Sequence, residues 1–259
     1  MLRRWCIPLA GLALAGGPLA APAPAPAASH QARPTIHLIR SAMRGTAPMA
    51  VRGRPANAVG SQNWSGYAAH GKTYKKISAS WVEPTGHCAS GGTFSSFWVG
   101  LDGFTSPTVE QTGSEVDCRA GRARYFAWFE MFPAPPVNFS NPVHPGDHFT
   151  GSVTFTGSGH YTLVLTDTTQ GWSHTVDKTR KGAKNSSAEV IAEAPSAGTI
   201  LPLTNFGTVH FSNAAVNGAA MGNAKPTKII MVNGSGRAKD SVSALSGGTA
   251  FSVKWLHST

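Results

Sequence analysis

Residues 124–130 read Arg-Tyr-Phe-Ala-Trp-Phe-Glu, and residues 77–81 read Ile-Ser-Ala-Ser-Trp. Alternation over such short stretches is typical of β-strands, whose successive side chains point to opposite faces of a sheet. Similar stretches recur about every 8–15 residues between turn signals of Gly, Asn, Ser and Pro; they lie at 152–155, 161–165, 188–194, 208–211, 227–232 and 251–255. No stretch keeps a helical period. The pattern predicts an all-β domain, built as a sandwich or a barrel.

The net charge of +10 on this 259-residue chain is concentrated at its beginning. Residues 1–60 hold seven of the 22 basic residues and no acidic residue. That leaves 15 basic against 12 acidic residues in 61–259, a net charge of +3. This part of the chain is therefore nearly balanced, and it has no stripe of interleaved basic and aromatic residues. We expect no nucleic-acid partner.

The first 60 residues are typical of export and maturation signals. Arg3 and Arg4 precede the apolar stretch 5–15, and an Ala/Pro-rich stretch extends to Ala28, so residues 1–28 are predicted to be a secretory signal peptide. Residues 29–60 form a basic segment, which is interpreted as a pro-segment or as a disordered leader. No linker-like change in composition interrupts the rest, and 61–259 is predicted to be one β-sandwich domain. We expect a secreted, extracellular protein without stable membrane association after signal removal.

Two cysteines remain once the leader is set aside. Cys88 and Cys118 form an even pair in an exported chain, which predicts one disulfide. Closing a loop of about 30 residues would contribute roughly 3–4 kcal/mol in the chain-entropy model. The alternative is a metal site that includes His87, but two sulfurs without C-x-x-C spacing disfavour it. We expect no metal and no cofactor.

Carboxylates and amides are the candidates for chemistry, because the sequence lacks the usual hydrolase and nucleotide-binding motifs. On a strand at 188–193, Glu189 and Glu193 share one face. On the strand at 127–133, Glu130 shares a face with Trp128 and Phe132. Acids on an otherwise apolar strand are costly to bury without partners, so these faces are either solvated or form the floor of a cleft.

Five short segments, in order, carry a resemblance to a known family. They are Asn-Trp-Ser-Gly at 63–66, Trp-Val-Gly-Leu-Asp-Gly at 98–103, Gln-Thr-Gly at 111–113, Ala-Trp-Phe-Glu-Met-Phe-Pro at 127–133 and Ala-Glu-Val-Ile-Ala-Glu at 188–193. With them, the chain from about residue 63 to 255 resembles the glutamic peptidases, the eqolisin family (G1), and in particular its bacterial-type members.

The resemblance implies a jelly-roll-like, concanavalin-like sandwich of two antiparallel sheets and a catalytic pair formed by Gln111 and Glu193. It also implies that a set of cleft residues surrounds this pair: Trp98, Asp102, Trp128, Glu130 and Glu189. Glu115 stands where the family usually has Asp, and Phe132 where it often has Tyr. The implied protein is an acid-active endopeptidase made as a zymogen. We expect polypeptide substrates and a monomer.

Each implied role has a plainer alternative. Gln111 could satisfy backbone groups near a turn, and Glu193 could be a rim acid paired with a cation. Asp102, between Gly100 and Gly103, could fix a loop. The indoles of Trp64, Trp81 and Trp255 are expected to pack in the core or between the sheets.

Two other classes of protein remain open alternatives. A secreted β-sandwich that binds carbohydrate would use exposed aromatic residues on a sheet face. A glycosidase would use Glu130 and Glu193 as its carboxylate pair. The Gln-Thr-Gly segment favours the peptidase, because neither alternative requires Gln111.

Overall fold

The computed structural model describes residues 58–259. The predicted signal peptide and the basic segment up to residue 57 lie outside the described residues. The described chain is built almost entirely from β-strands, and its helical structure is the 3₁₀ turn Met221–Ala224. The first strand covers Ala58–Ser61.

Eight strands form the first sheet, in the order β1-β16-β2-β11-β4-β5-β6-β7. Their bounds are β1 Ala58–Ser61, β2 Trp64–His70, β4 Thr93–Leu101, β5 Val109–Arg119, β6 Arg122–Phe132, β7 Val137–Asn138, β11 Ser187–Glu193 and β16 Thr227–Met231. Strand β1 runs parallel to β16, and the central pairs are antiparallel. Strand β11 lies between β2 and β4 in the sheet, although it is distant from both of them in the sequence.

The second sheet has the path β10-β9-β8-β3-β14-β18-β17. Its strands are β3 Lys76–Val82, β8 His148–Gly157, β9 His160–Asp167, β10 Trp172–Thr179, β14 Thr208–Val216, β17 Asp240–Val242 and β18 Phe251–Trp255, with β15 Ala219–Ala220 paired to β14. Strands β12 Ser196–Ala197 and β13 Thr199–Ile200 make a small separate ribbon.

The main hydrophobic core lies between the two sheets. Phe97, Val99 and Leu101 of β4 belong to the same buried cluster as Trp81 and Phe149 of the second sheet. The Trp81 ring stacks on Phe149 with centroids 5.7 Å apart. The side chains of β4 that face this cluster alternate with side chains that face away from it, as the pleat of a strand requires. The predicted antiparallel two-sheet β-sandwich is confirmed.

The predicted disulfide is also present. Cys88, in the loop after β3, is bonded to Cys118 near the end of β5. The bond ties this loop to the first sheet and accounts for both cysteines of the described chain.

Candidate active site

The predicted catalytic and cleft residues, except Asp102 in the loop after β4, share one face of the first sheet. We call this the outer face, because it points away from the second sheet; the opposite face is the inner face. Directly paired residues of neighbouring strands project on the same side. The pairing therefore places the following residues together on the outer face: Trp64 of β2; Glu189, Ile191 and Glu193 of β11; Trp98 and Gly100 of β4; Gln111, Gly113 and Glu115 of β5; and Trp128 and Glu130 of β6.

The carboxylate of Glu193 is held at both oxygens by neutral donors. Trp98 donates its indole Nε1–H to Oε2 at 2.9 Å, and Asn63 donates its Nδ2–H to Oε1 at 3.3 Å. Asn63 is itself fixed, because Ser61 Oγ donates to its Oδ1 at 3.1 Å and its carbonyl accepts from Ala194 N. Glu193 is fully buried. Its carboxylate thus has a defined orientation, and neither Trp98 nor Asn63 brings a charge to it.

Gln111 is buried in the same face and is oriented by a second acid. Its Nε2 donates to Glu130 Oε2 at 3.2 Å, and the two residues are direct partners across β5 and β6. A primary amide carries two N–H groups and an acceptor oxygen, and Glu130 uses one of the N–H groups. The amide is therefore held in place by a carboxylate on the neighbouring strand.

The indole of Trp98 spans the space between Gln111 and Glu193. Gln111 lies two strands across and four residues along from Glu193 in the register. The indole donates to Glu193 with its Nε1, and its Cζ3 would lie 2.9 Å from a Cβ placed on Gly100. The same Cβ would lie 3.1 Å from Gln111 Cβ. A side chain at position 100 would thus displace either the indole or Gln111.

Glu189 lies on the other side of Gln111 from Glu130, and it is nearer to Gln111 in the register than Glu193 is, because Gly100 alone separates the two across the strands. It is fully buried, and neither of its oxygens makes a hydrogen bond of normal geometry within residues 58–259. Burial raises its pKa well above the usual value; the Ser187 hydroxyl lowers the pKa in part, whereas Asp102 and Glu110 raise it. Glu189 therefore keeps its proton at pH values where an ordinary glutamate is ionised.

Asp102 acts as a clamp between two loops. It is buried, with φ +70°, and it follows the last residue of β4. Its carboxylate accepts hydrogen bonds from the backbone N–H groups of Lys184, Asn185 and Ser186 at 2.7–2.8 Å, and from the Ser106 hydroxyl at 2.9 Å. These contacts favour the loop-fixing alternative over contact with substrate, since they occupy both oxygens and tie the end of β4 to the segment entering β11.

The tryptophans pack in two different places. Trp81 packs between the sheets, where its Nε1 donates to Ser114 Oγ at 2.8 Å, and Trp255 is half-buried. Trp64, in contrast, lies on the outer face and contacts Trp98 edge-on, with ring centroids 4.9 Å apart. Trp128 belongs to the same outer-face cluster. Trp64 is fully buried and packs in a core, as expected, but this core lies on the outer face, because β2 turns the indole away from the second sheet.

Asn63 is a site residue that the sequence analysis quoted but gave no role. Its amide contacts Glu193 across a sequence separation of 130 residues. Its position beside Trp64, at the start of a segment shared with a peptidase family, was the available signal. Nothing local in the sequence indicated that β11 would pair with β2.

The described residues contain neither a metal-binding cluster nor a membrane-spanning helix. Residues 58–259 contain no group of three or more His, Cys, Asp or Glu side chains arranged to hold a metal ion. The same residues form no helix that is long and apolar enough to cross a membrane.

Comparison with known proteins defines the class to which this fold and site belong. Residues 62–255 match the Peptidase A4 family. The chain belongs to this family, which is the family of glutamic peptidases identified from the sequence. The predicted resemblance to the glutamic peptidases is confirmed.

Individual relatives are more distant. Aspergillopepsin-2 of Aspergillus niger is 27% identical over 179 residues, which cover 60% of this chain and 64% of that protein, so the match spans less than two thirds of the relative. A crystal structure of scytalido-glutamic peptidase with a transition state analog inhibitor has a TM-score of 0.67 and 23% identity, covering 75% of this chain and 98% of the other. Aspergilloglutamic peptidase from Aspergillus niger gives 0.56 and 25%, covering 63% and 99%. The scytalido-glutamic peptidase structure supports the fold alone.

Proposed function

We propose that this protein is a secreted, acid-active endopeptidase in which Gln111 and Glu193 hydrolyse peptide bonds with an activated water. The observation that carries the proposal is the fixed Glu193 carboxylate on the face that also holds Gln111, in a chain of the glutamic peptidase family. A carboxylate and a primary amide on one face are the two groups that this chemistry requires.

Glu193 is the general base in the proposed reaction. Its carboxylate accepts a proton from a water molecule as the water oxygen attacks the carbonyl carbon of the scissile bond. The same proton then passes to the nitrogen of the leaving amine, so that the C–N bond breaks and the carboxylate is regenerated. Trp98 and Asn63 keep the two oxygens oriented during both transfers.

Gln111 stabilises the oxyanion in this scheme. An amide N–H donates to the oxygen on which negative charge develops, and it does so without a change of protonation at acidic pH. Glu130, which accepts the other N–H, is the positioning group. This use of Glu130 supports a peptidase over a glycosidase, in which Glu130 would itself have to be a catalytic acid or base.

Maturation is part of the proposal. Gln111 and Glu193 are fully buried in the full-length chain, so a substrate reaches them only after part of the chain moves or is removed. The basic segment 29–60 is the part whose composition fits a pro-segment, and the preceding residues fit an export signal. We expect the exported protein to be processed near the end of this segment, at about residue 60, and to act as a monomer; N-terminal sequencing and sedimentation test these points.

The decisive experiment compares variants of the processed protein on acid-unfolded haemoglobin between about pH 2 and pH 7. Gln111→Ala should lower kcat about 10²–10³-fold through loss of the oxyanion donor. Glu193→Gln should lower it about 10²–10⁴-fold through loss of the base. Asp177→Asn, an exposed acid on the second sheet, is the matched control and should leave the rate unchanged.

Glu189→Gln decides which outer-face carboxyl is the base. If Glu193 has this role, Glu189→Gln should cost much less activity than Glu193→Gln. The opposite result would transfer the role to Glu189, the nearer register partner of Gln111. No cleavage by the processed wild-type protein at any pH, with release of reducing sugar from a polysaccharide, would reject the peptidase in favour of a glycosidase.

A further inference from the structure

A cavity of about 340 Å³ lies at the end of the first sheet, apart from the Gln111 side of the site. Its apolar wall includes Leu201, Pro202 and Val232, and its polar lining includes Gln62 and Lys239. This combination of an apolar wall and a single cationic side chain suits a ligand with an aliphatic stem and an anionic end.

The cavity adjoins Glu193 through two segments of chain. Gln62 directly precedes Asn63, whose side chain donates to Glu193 Oε1. On the other side, Leu201 N donates to the carbonyl of Pro195, two residues after Glu193. A polypeptide bound across Glu193 could therefore place one of its side chains in this cavity.

Lys239 is an unusual residue for such a position, because only 4% of its surface is exposed. Its backbone is fixed: its N–H donates to Met231 O, and its carbonyl accepts from Leu256 N and His257 N. Burial lowers the pKa of its ammonium group to about 8, while the neighbouring Asp240 raises it in part. The group is thus still a cation throughout the acidic range.

No carboxylate within residues 58–259 forms an ion pair with Lys239. Asp240, the nearest acid, is engaged elsewhere: its carboxylate accepts from the Ser65 hydroxyl at 2.5 Å and from Met231 N at 3.2 Å. Thr259 also lines the cavity, and no ion pair joins it to Lys239 within the described residues. Arg237, two residues before Lys239, donates its guanidinium N–H to the ring of His257 at the surface. A buried cation without a counter-ion is costly, and a bound anion would offset that cost.

We propose that this cavity is a substrate subsite that selects an acidic side chain, with Lys239 as the specificity-determining cation. The inference rests on the proposed peptidase function, which it deepens. The methylene groups of a glutamate would contact the apolar wall, and its carboxylate would meet the Lys239 ammonium. Charge-assisted hydrogen bonds of this kind are among the stronger polar contacts in proteins.

The test uses one peptide series in which each position around a cleaved bond carries glutamine, glutamate or homocysteic acid, the sulfonate analogue of glutamate. At one position, kcat/KM should be at least about tenfold higher for homocysteic acid than for glutamine. The preference for glutamate should appear only as the pH rises above about 4, where its carboxyl ionises, whereas the sulfonate preference should persist at lower pH.

Variants connect that preference to Lys239. Lys239→Met keeps an apolar side chain of similar length and should reduce the homocysteic acid to glutamine ratio to about one, whereas Lys239→Arg should retain a ratio above one. Lys254→Met, which removes an exposed lysine of β18, should leave the ratio unchanged. A ratio near one at every position in the wild type, or an unchanged ratio in Lys239→Met, would overturn the proposal.

Binding separates the subsite from the activity. By calorimetry, the homocysteic acid peptide should bind wild-type protein about tenfold more tightly than the glutamine peptide, and Lys239→Met should abolish the difference. This holds even if the protein cleaves nothing, in which case the proposed catalysis fails while the subsite stands. Equal affinities in the wild type would reject the subsite.

Discussion

The two faces of the first sheet are made by the same strands but bury different chemistry. On β4, Phe97 and Val99 point inward and pack against the second sheet, while Trp98 points outward and donates to a carboxylate. On β11, Val190 is part of the inner core, whereas Glu193 is on the outer face. The inner face stabilises the sandwich through apolar contact, and the outer face holds polar groups in fixed orientations.

This difference shows how one strand can serve two purposes. Successive side chains along a strand point to opposite faces of the sheet. One residue can therefore contribute to stability while the next residue contributes to the chemistry of the site. Substitutions at adjacent positions should therefore separate activity from folding, unless they change the backbone that both faces share.

The largest effect on stability and activity is expected from a substitution that would push β4 and β5 apart, because these two strands carry side chains of both faces. Gly113 lies opposite Trp98, and an alanine Cβ there would lie 2.5 Å from Trp98 Cβ and within clashing distance of the Phe97 carbonyl oxygen. Because β4 and β5 would have to shift apart, Gly113→Ala should lower the free energy of unfolding by about 3 kcal/mol and also reduce activity. Gly91→Ala, where no atom lies within 4 Å, is the control. Urea unfolding and peptidase assays measure both effects; a stable, fully active Gly113→Ala would show that the strands can yield at this point.

An intermediate effect is expected from neighbouring residues on opposite faces. Trp98→Phe keeps an aromatic ring but removes the Nε1–H donated to Glu193, and it should lower kcat about ten- to hundredfold. Phe97→Leu removes part of an inner-face contact with Phe206 and should lower the free energy of unfolding by about 1–2 kcal/mol, with unchanged kcat per folded molecule. Equal losses of kcat in the two variants would contradict the separation of roles, in which the inner face stabilises the fold and the outer face carries the chemistry.

The smallest effect concerns an acid at the margin of the inner core. Burial raises the pKa of Glu83 from 4.5 to about 8; the Ser114 hydroxyl lowers it in part, and Asp147 and Asp167 raise it. Because the folded state binds this proton more tightly than the unfolded state, the stabilising contribution is complete below pH 4.5 and is lost as the pH rises towards 8.

Glu83→Gln should therefore be more stable than wild type by about 1–2 kcal/mol near pH 8, with little difference near pH 4. Denaturant midpoints at the two pH values measure the change, and Asp177→Asn provides an exposed matched control. The prediction would be contradicted if the wild-type protein became more stable from about pH 4 to about pH 8 and Glu83→Gln showed the same change. Glu83 would then not hold its proton in the folded state.

Much of the architecture could be predicted from local sequence. The stretches at 77–81 and 124–130 lie within β3 and β6, because alternation is a property of neighbouring residues. The pairing of Cys88 with Cys118 followed from their number and from the export signals. The sharing of one face by Glu189 and Glu193 also followed from their spacing. These features depend on a few adjacent positions.

The partners of those residues could not be predicted in this way. The positions of Trp98 and Glu193 differ by 95 in the sequence, and those of Asn63 and Glu193 by 130. Their contact depends on β11 being inserted between β2 and β4. For Asp102, a local pattern allowed either a loop or a cleft role, and the choice depended on a segment more than 80 residues away.

Local patterns in the chain were enough to predict its strands, its one disulfide and the ordered segments of a peptidase family. Three features became visible only in the folded molecule: Trp64 faces outward, Trp98 and Asn63 hold Glu193, and Lys239 is buried beside a cavity. The reason is physical: side-chain alternation is set within each strand, whereas strand order and register are set by hydrogen bonding and packing between segments that are distant in the chain.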